Sequence, residues 1–445
     1  MTIEILTELL HSRKFSALIE ALDEINAVDA AEFMATLTDS ELPTVFRLLK
    51  KDTAAEIFAE LSHDLQEQIV ASMSDKELSG VMEELFIDDA VDLLEEMPAS
   101  MVSRILKASS PERRHEINRF LKYPEDSVGS IMTSEWISIY SSLTVSQAVD
   151  YIRKTGIDKE TVYVIYVTDT RKFLVGILEL RDLLFAKPDE LISDLMQTSI
   201  VSVQTTDDRE VAANAISKYD LLALPVVDSE NRLVGIVTVD DAVDVIQEEA
   251  TADIEMMAAI TPTDKPYLQI GVFSTFFSRI PWLLILMLSA TFTGIIITHY
   301  EAALGQMVIL TAFIPLLMNT GGNAGSQTSV TVIRGLSLGE LRMGNIFRIL
   351  WKELRVSILC GLVLSVVVFG KAMLLDRASA EVALIVALTV LATVVFAKLV
   401  GACLPILAKR LGFDPTVMAS PFITTIVDAV TLLIYFAVAS SVLGL

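Results

Sequence analysis

The sequence predicts a multidomain chain: an all-α superhelical N-terminal domain, an α/β tandem of small modules, and an α-helical membrane domain with five spans. Three observations carry that reading. An apolar pattern with a twelve-residue period runs through the first quarter of the chain, an internal duplication lies between Gly129 and Glu248, and five long apolar runs follow Arg279. Charge divides the chain in the same way. Residues 1–270 hold 23 Lys/Arg against 51 Asp/Glu, a net of −28, whereas residues 271–445 hold 11 against 7, a net of +4. So acidic a half repels nucleic acid and attracts cations. Cys360 and Cys403 both sit in apolar runs, which argues against a disulfide framework or a zinc site. The amphipathic start "MTIEILTELLHSRKF", with two early glutamates, does not read as a signal peptide.

The N-terminal domain is expected over 1–128. Positions 33, 45, 57, 69, 81, 93 and 105 read Phe, Val, Ile, Ile, Val, Leu, Ile. Apolar partners recur one and four residues further on, which makes one face of a helix of about two and a half turns. Polar breaks such as "TDSE", "SHD" and "MPAS" separate the units. A helix that short cannot bury its face alone, so the units must stack into a superhelix. Leu18, Leu22 and Ile25 continue the pattern backwards, and it fades after Ile105.

Two α/β modules are expected over 129–192 and 193–248. "GSIMTSEWISIYSSLTVSQAVDYIRK" is answered 64 residues later by "SDLMQTSIVSVQTTDDREVAANAISK", and "KFLVGILELRDLL" 59 residues later by "NRLVGIVTVDDAV". A duplication that ends each time in a Leu-Val-Gly-Ile strand and an acidic helix start resembles a pair of CBS domains. That resemblance implies a regulatory module able to bind ATP or another adenosine nucleotide. Thr238 and Asp241 match the Thr-x-x-Asp contacts to ribose and phosphate, whereas the first module has Glu179 in place of the hydroxyl. An acidic connecting, plug-like helix is expected over 249–278, ending in Pro262 and Pro266.

The membrane domain is expected over 279–445, with spans near 281–299, 303–333, 355–375, 381–408 and 416–443, each long enough to cross a bilayer. Arg279 precedes the first. Arg334, Arg342, Arg348 and Lys352 lie between spans two and three, and Lys409 and Arg410 between four and five. Basic loops stay inside, so the N-terminal half is expected in the cytoplasm and the C-terminus outside. Span two carries "PLLMNTGGNAGSQTSVTVIRG". Gly321 and Gly325 suit close helix packing, while Asn319, Asn323 and Gln327, at i, i+4 and i+8, form a polar stripe suited to a wet surface. Asp428 is the sole charged side chain from Pro415 onward, and an acid inside a span is expensive and functional by default.

Taken together, the superhelix, the paired modules, the connecting helix and five spans resemble the MgtE family of magnesium channels over essentially the whole chain. The most specific pieces are "TGGNAGSQ", "VGIVTVDDAVDVIQEEATADI" and "GFDPTVMASPFITTIVDAVTLLIYF". The resemblance implies a homodimer in the plasma membrane, with Mg2+ as both permeant ion and regulator and a pore lined by the second and fifth spans. Asp428 would hold hydrated Mg2+ together with the backbone of Thr424, beside the pore-lining Asn319, Asn323 and Gln327. It also implies regulatory Mg2+ sites at Glu60, Asp89, Asp92 and Glu96 on the superhelix and at Asp208, Glu210, Asp220, Asp241 and Asp244 on the second module. Glu249, Asp253 and Asp414 complete the set. Glu96 departs from the family pattern, being longer than the Asp common there. Alternatives are a channel for Mn2+, Co2+ or Ni2+, or a membrane-anchored CBS nucleotide sensor. Oxygen donors alone suit Mg2+ and Mn2+ best. The spans hold no arrangement that suits an enzyme, so no catalytic residue is expected.

Overall fold

The structure, a computed structural model, describes residues 2–124, 126–157, 159–263, 267–268, 270–300, 308–418 and 420–443, without the side chains of Glu96, Met343 and Ser420. The chain divides into two compact units, Met1–Gln247 and Glu248–Leu445.

The first unit opens with ten short helices: α1 (Ile3–His11), α2 (Phe15–Glu24), α3 (Ala27–Ala35), α4 (Leu42–Phe46), α5 (Lys51–Ala59), α6 (His63–Ser72), α7 (Asp75–Glu84), α8 (Ile87–Glu96), α9 (Ala99–Ala108) and α10 (Pro111–Phe120). All but α4 start on a twelve-residue grid. The starts are set by local chemistry. Asn26, Ser74 and Ser110 accept backbone N–H groups as N-caps, Ser74 within a capping box closed by Glu77, and Pro111 opens α10. Alternate helices stack, α3 on α5, α5 on α7 and α7 on α9 in one row, α4 on α6, α6 on α8 and α8 on α10 in the other. Phe33, Ile57, Ile69 and Ile105 are fully buried between the rows.

The repeat does not fade after Ile105, nor does it stop short of the first residues. Ile117, the next position on the grid, is fully buried in α10. It was hidden in the sequence because polar side chains surround it and because Arg113 is itself buried. The Arg113 guanidinium donates Nε to the Met82 carbonyl at 3.1 Å and Nη2 to the Leu85 carbonyl. Arg104 does the same one helix earlier, donating to the Val70 and Met73 carbonyls. Each arginine satisfies the open carbonyls at the end of a neighbouring short helix, groups that would otherwise be left without partners.

The paired modules repeat a three-stranded sheet. β1 (Ser138–Tyr140) runs parallel to β2 (Val164–Thr168), which is antiparallel to β3 (Leu174–Glu179); β4 (Val203–Gln204), β5 (Ala223–Val227) and β6 (Leu233–Thr238) repeat the order. Helices α11 (Val145–Thr155) and α14 (Arg209–Tyr219) also correspond, while α12 (Leu180–Phe185) and α13 (Ile192–Leu195) follow β3. The modules are clasped reciprocally. Thr133 exchanges backbone hydrogen bonds with Ile236 of the second sheet, and Gln197 with Ile177 of the first. The glycine of each Leu-Val-Gly-Ile strand makes room for this. A Cβ on Gly235 would overlap the Met132 side chain, and one on Gly176 would overlap Met196. The last helix, α15 (Val239–Met257), starts inside the second module. It ends well before residue 278, the expected limit of the connecting helix. Ala259 takes φ 55°, residues 258–263 turn away from helical bonding ahead of and through Pro262, and Pro266 lies outside the described residues.

Among the described residues of the second unit, five helices are long and apolar enough to cross a membrane. They are α16 (Val272–His299), α17 (Ile314–Ser337, led by a 3-10 turn Val308–Phe313), α18 (Ile346–Leu374), α19 (Ala380–Leu411) and α20 (Ser420–Leu443). Two of them, α16 and α18, start nine residues before the expected spans, and the expected start of the second span, at 303, lies outside the described residues. Arg279 lies inside α16, and Arg348 and Lys352 lie inside α18, because a helix continues through the polar interface after its apolar run ends. α19 is central, packing on α17, α18 and α20. α17 and α19 meet at a glycine contact, where a Cβ on Gly401 would overlap the Gly325 carbonyl.

Candidate functional site

Two constellations stand out, one in each unit. In the first unit, Asp88 and Asp89 open α8, Asp240, Asp241 and Asp244 lie in the first turns of α15, and Glu160 lies in the loop before β2. These carboxylates repel one another. Asp89 is pushed up to about 7, mostly by burial and then by Asp241, Asp92 and Glu60. Burial and Asp241 hold Asp88 well above the usual carboxylate range. Glu160 is pushed up to about 8, again by burial first and Asp241 second, and its Oε2 is buried without a hydrogen-bond partner. Glu60 is raised by burial and by Asp244, and Asp244 by burial and Asp240. Asp241 is also raised by burial, against the opposing bond from the Thr238 hydroxyl, which donates to its Oδ2 at 2.5 Å. The two candidate nucleotide contacts therefore bond to each other, and Asp241 is the charge that Asp88, Asp89 and Glu160 share.

Of the acids expected to act together, the structure gathers Glu60, Asp89, Asp92, Asp241 and Asp244. Asp92 also lies 3.9 Å from the His63 imidazole. Asp208, Glu210 and Asp220 take local roles on α14 instead. Asp208 caps its start by accepting from the Glu210 N–H at 2.8 Å, Glu210 accepts from Asn214, and Asp220 ends the helix in the left-handed region. The Glu96 side chain lies outside the described residues. Asp88, Asp240 and Glu160 were not singled out from the sequence. Asp88 and Asp240 each adjoin a chosen acid, but nothing in the sequence connects Glu160 to α8. Among the described residues, no three Asp, Glu, His or Cys side chains are arranged to hold one metal ion directly.

In the second unit, the faces of α17 divide the two readings of its polar run. Its glycines face protein: a Cβ at Gly321 would meet Thr393 and Val427, one at Gly325 would meet Ile423, and one at Gly322 would meet Thr424. Its amides face open space. Asn319, Asn323 and Gln327 are exposed, Asn323 Nδ2 donates to Asn319 Oδ1 at 3.2 Å, and all three border a cavity of about 610 Å³. Cys360, Val363 and Lys398 also border it. Close packing and an exposed amide face thus coexist on one helix. Asp428 lies one turn beyond Thr424 on α20 and is half-buried. At the end of the connecting helix, Ser337 Oγ donates to Asp253 Oδ2 at 3.5 Å. Asp414 accepts from the Thr416 N–H and hydroxyl at 2.7 and 2.6 Å, and that hydroxyl also lies 3.6 Å from Met256 Sδ. Glu249 lies one turn before Asp253 on α15.

A family model described as a divalent cation transporter, MgtE, matches residues 314–438; the MgtE intracellular N domain matches 25–126, and CBS domains match 128–189 and 192–248. The chain is 36% identical over 443 residues to the magnesium transporter MgtE of Thermus thermophilus, covering 98% of this chain and 97% of that one. This chain belongs to the MgtE family. The Bacillus subtilis magnesium transporter MgtE is 32% identical over 437 residues, covering 97% and 95% of the two chains. Among solved structures, the soluble part of a magnesium transporter is 32% identical, with a TM-score of 0.54, over 56% of this chain and 98% of that one. The cytosolic domain of the Mg2+ channel MgtE in complex with ATP is 36% identical, with a TM-score of 0.52, over 55% of this chain and all of that one. MgtE proteins are transporters, not enzymes, and with its five apolar helices this chain is a multi-pass membrane protein.

Proposed function

We propose that this protein is a Mg2+-selective channel for uptake across the plasma membrane, closed when cytoplasmic Mg2+ is high. The observation that carries the reading is Asp428. It is the sole charge from Pro415 to the C-terminus, and Thr424, one turn before it on α20, packs on Gly322 of the amide-bearing helix α17. The relatives' names, magnesium transporter and Mg2+ channel, support the choice of ion.

The chemistry fits. Mg2+ gives up water reluctantly and demands octahedral geometry, so proteins hold its hydration shell with one or two carboxylates and neutral oxygens. Two copies of Asp428 around a two-fold axis, in a homodimer, would set two negative charges against the ion. Thr424, Asn319, Asn323 and Gln327 supply amide, hydroxyl and carbonyl oxygens, hard donors that suit Mg2+. A relative's soluble part is called cytosolic. That supports a cytoplasmic N-terminal half for this chain, and five spans would then leave the C-terminus outside.

In the cytoplasmic unit, Asp88, Asp89, Asp241, Glu160, Glu60 and Asp244 form the charge that regulatory Mg2+ neutralises. Mg2+ keeps most of its water, so several of these acids would share each ion through its hydration shell. Closure is then stabilised by ions that bind the closed arrangement better than the open one. Thr238 and Asp241 are the groups on which a nucleotide such as ATP would bear. The test is ion flux through purified protein in liposomes, with Mg2+, Mn2+, Co2+ and Ca2+ in turn. Mg2+ flux that falls as Mg2+ rises on the cytoplasmic side is the expected result. Equal or greater flux of Co2+ or Mn2+ overturns the selectivity, and nucleotide binding with no flux of any ion favours an anchored sensor.

A further inference from the structure

The membrane unit holds a charged pair that links three spans through one hydroxyl. Lys398 of α19, only 6% exposed, donates its Nζ to Thr328 Oγ1 of α17 at 3.3 Å. Thr328 Oγ1 donates in turn to Glu353 Oε2 of α18 at 3.1 Å. The polarity of this chain is fixed. An ammonium only donates and a carboxylate only accepts, so the single hydroxyl hydrogen goes to Glu353 and a lone pair faces Lys398. Lys398 borders the amide-lined cavity; Thr328 and Glu353 do not border it. The positive end of an oriented pair is therefore presented to Asn319, Asn323 and Gln327.

Holding such a pair among packed spans is costly, and three uncharged side chains would join the helices more cheaply. What the pair supplies, and an apolar contact would not, is a fixed positive potential on one wall of the cavity. A conducting site must bind its ion well enough to admit it and weakly enough to release it. Asp428 supplies the retention, and nothing described above supplies the release.

We infer that Lys398 is a specificity-determining residue of the ion path: a fixed positive charge beside the amide stripe that limits how tightly a divalent cation is retained. Glu353 moderates that charge, and Thr328 fixes its position. The inference rests on the proposed role of the amide face as a border of the path.

Opposite signs make the test sharp. Mg2+ flux into liposomes is measured against Mg2+ concentration for wild type, Lys398→Met and Glu353→Gln. Removing the cation leaves Glu353 uncompensated, so the half-saturating Mg2+ falls and maximal flux falls with it. Neutralising Glu353 leaves Lys398 uncompensated, so the half-saturating Mg2+ rises. One unit charge acting on a divalent ion at about 10 Å shifts half-saturation by about fourfold at a water-like dielectric and by roughly two hundredfold at the effective dielectric of about 20 typical of protein, so a shift of at least severalfold in each direction is expected. Lys398→Arg, which restores the charge, must lie closer to wild type than Lys398→Met. A purely structural brace predicts reduced flux in both variants with half-saturation unmoved or moved the same way, and that result overturns the inference.

A second route does not depend on Lys398→Met reaching the membrane. Cys360 is exposed on the same cavity. In a Cys403→Ser background, a cationic thiol reagent at Cys360 must raise half-saturation and an anionic one of similar size must lower it. Equal effects from the two reagents count against the inference. Wild-type flux with variants that do not diverge overturns this inference alone, whereas no divalent flux in wild type overturns the transport reading and this one with it.

Discussion

Raising the pH at low divalent concentration should loosen the cytoplasmic unit, and Asp89 gives both the sign and the size. Its carboxyl is raised from 3.8 to about 7 in the folded protein. The folded value lies above the unfolded one, so the stabilising contribution is complete below pH ~4 and is lost as the pH climbs through 7. The full span corresponds to about 4 kcal/mol, of which about 2 kcal/mol is lost between pH ~5.5 and ~8. Asp88, Asp241 and Glu160 act in the same direction, but they share the same repulsion and do not add independently. Mg2+ competes with protons for these oxygens. Millimolar Mg2+ should restore stability near pH 8 and do little near pH 5.5. Urea unfolding of residues 1–265 at the two pH values, with and without Mg2+ at matched ionic strength, measures this. Asp89→Asn should flatten the pH dependence. A midpoint that stays level or rises with pH in the absence of divalent ions would refute the reasoning. So would stabilisation by NaCl equal to that by Mg2+.

Three further outcomes follow from the same geometry. Gly235→Ala forces a methyl into Met132 and should destabilise the paired modules by ~1–3 kcal/mol, read by thermal unfolding, while an exposed control such as Gly344→Ala meets nothing. Asp92→Ala combined with Asp244→Ala should leave Mg2+ flux high when cytoplasmic Mg2+ is high; normal closure in the double variant counts against the acidic cluster as the sensor. Thr238→Val removes the hydroxyl that holds Asp241 and should weaken ATP binding severalfold by calorimetry, and unchanged affinity would move the nucleotide elsewhere.

The fold was legible where a period repeats and obscure where a tertiary partner decides. Ile57, Ile69 and Ile105 announce the superhelix because each short helix needs the same buried face. Ile117 belongs to the same series but is flanked by Arg114 and Asn118, and the buried Arg113 reads as surface until its carbonyl partners are seen. The duplication gave both modules, and even the glycines that admit Met132 and Met196, though not the reciprocal clasp that requires them. In the membrane unit, hydropathy measures where the bilayer's apolar core lies and not where a helix begins, so the helix that contains Arg348, Lys352 and Glu353 starts earlier than its apolar run. Lys398 disappears into the average of a long apolar segment, and its partner Glu353 is 45 positions away. Asp428 stood out for the opposite reason, because no other charge shares its helix. Among the regulatory acids, the i, i+3 spacing of Asp89 and Asp92 could be read directly, whereas Glu160 joins them only through the folded loop before β2.

In the proposed channel the Asp428 carboxylate retains the permeating ion. Asp428→Asn keeps the shape and hydrogen-bonding capacity of the side chain and removes its charge. Mg2+ flux into liposomes, measured on protein shown to be folded and assembled like wild type, should fall to near the background of empty vesicles. Flux equal to that of wild type would contradict the account.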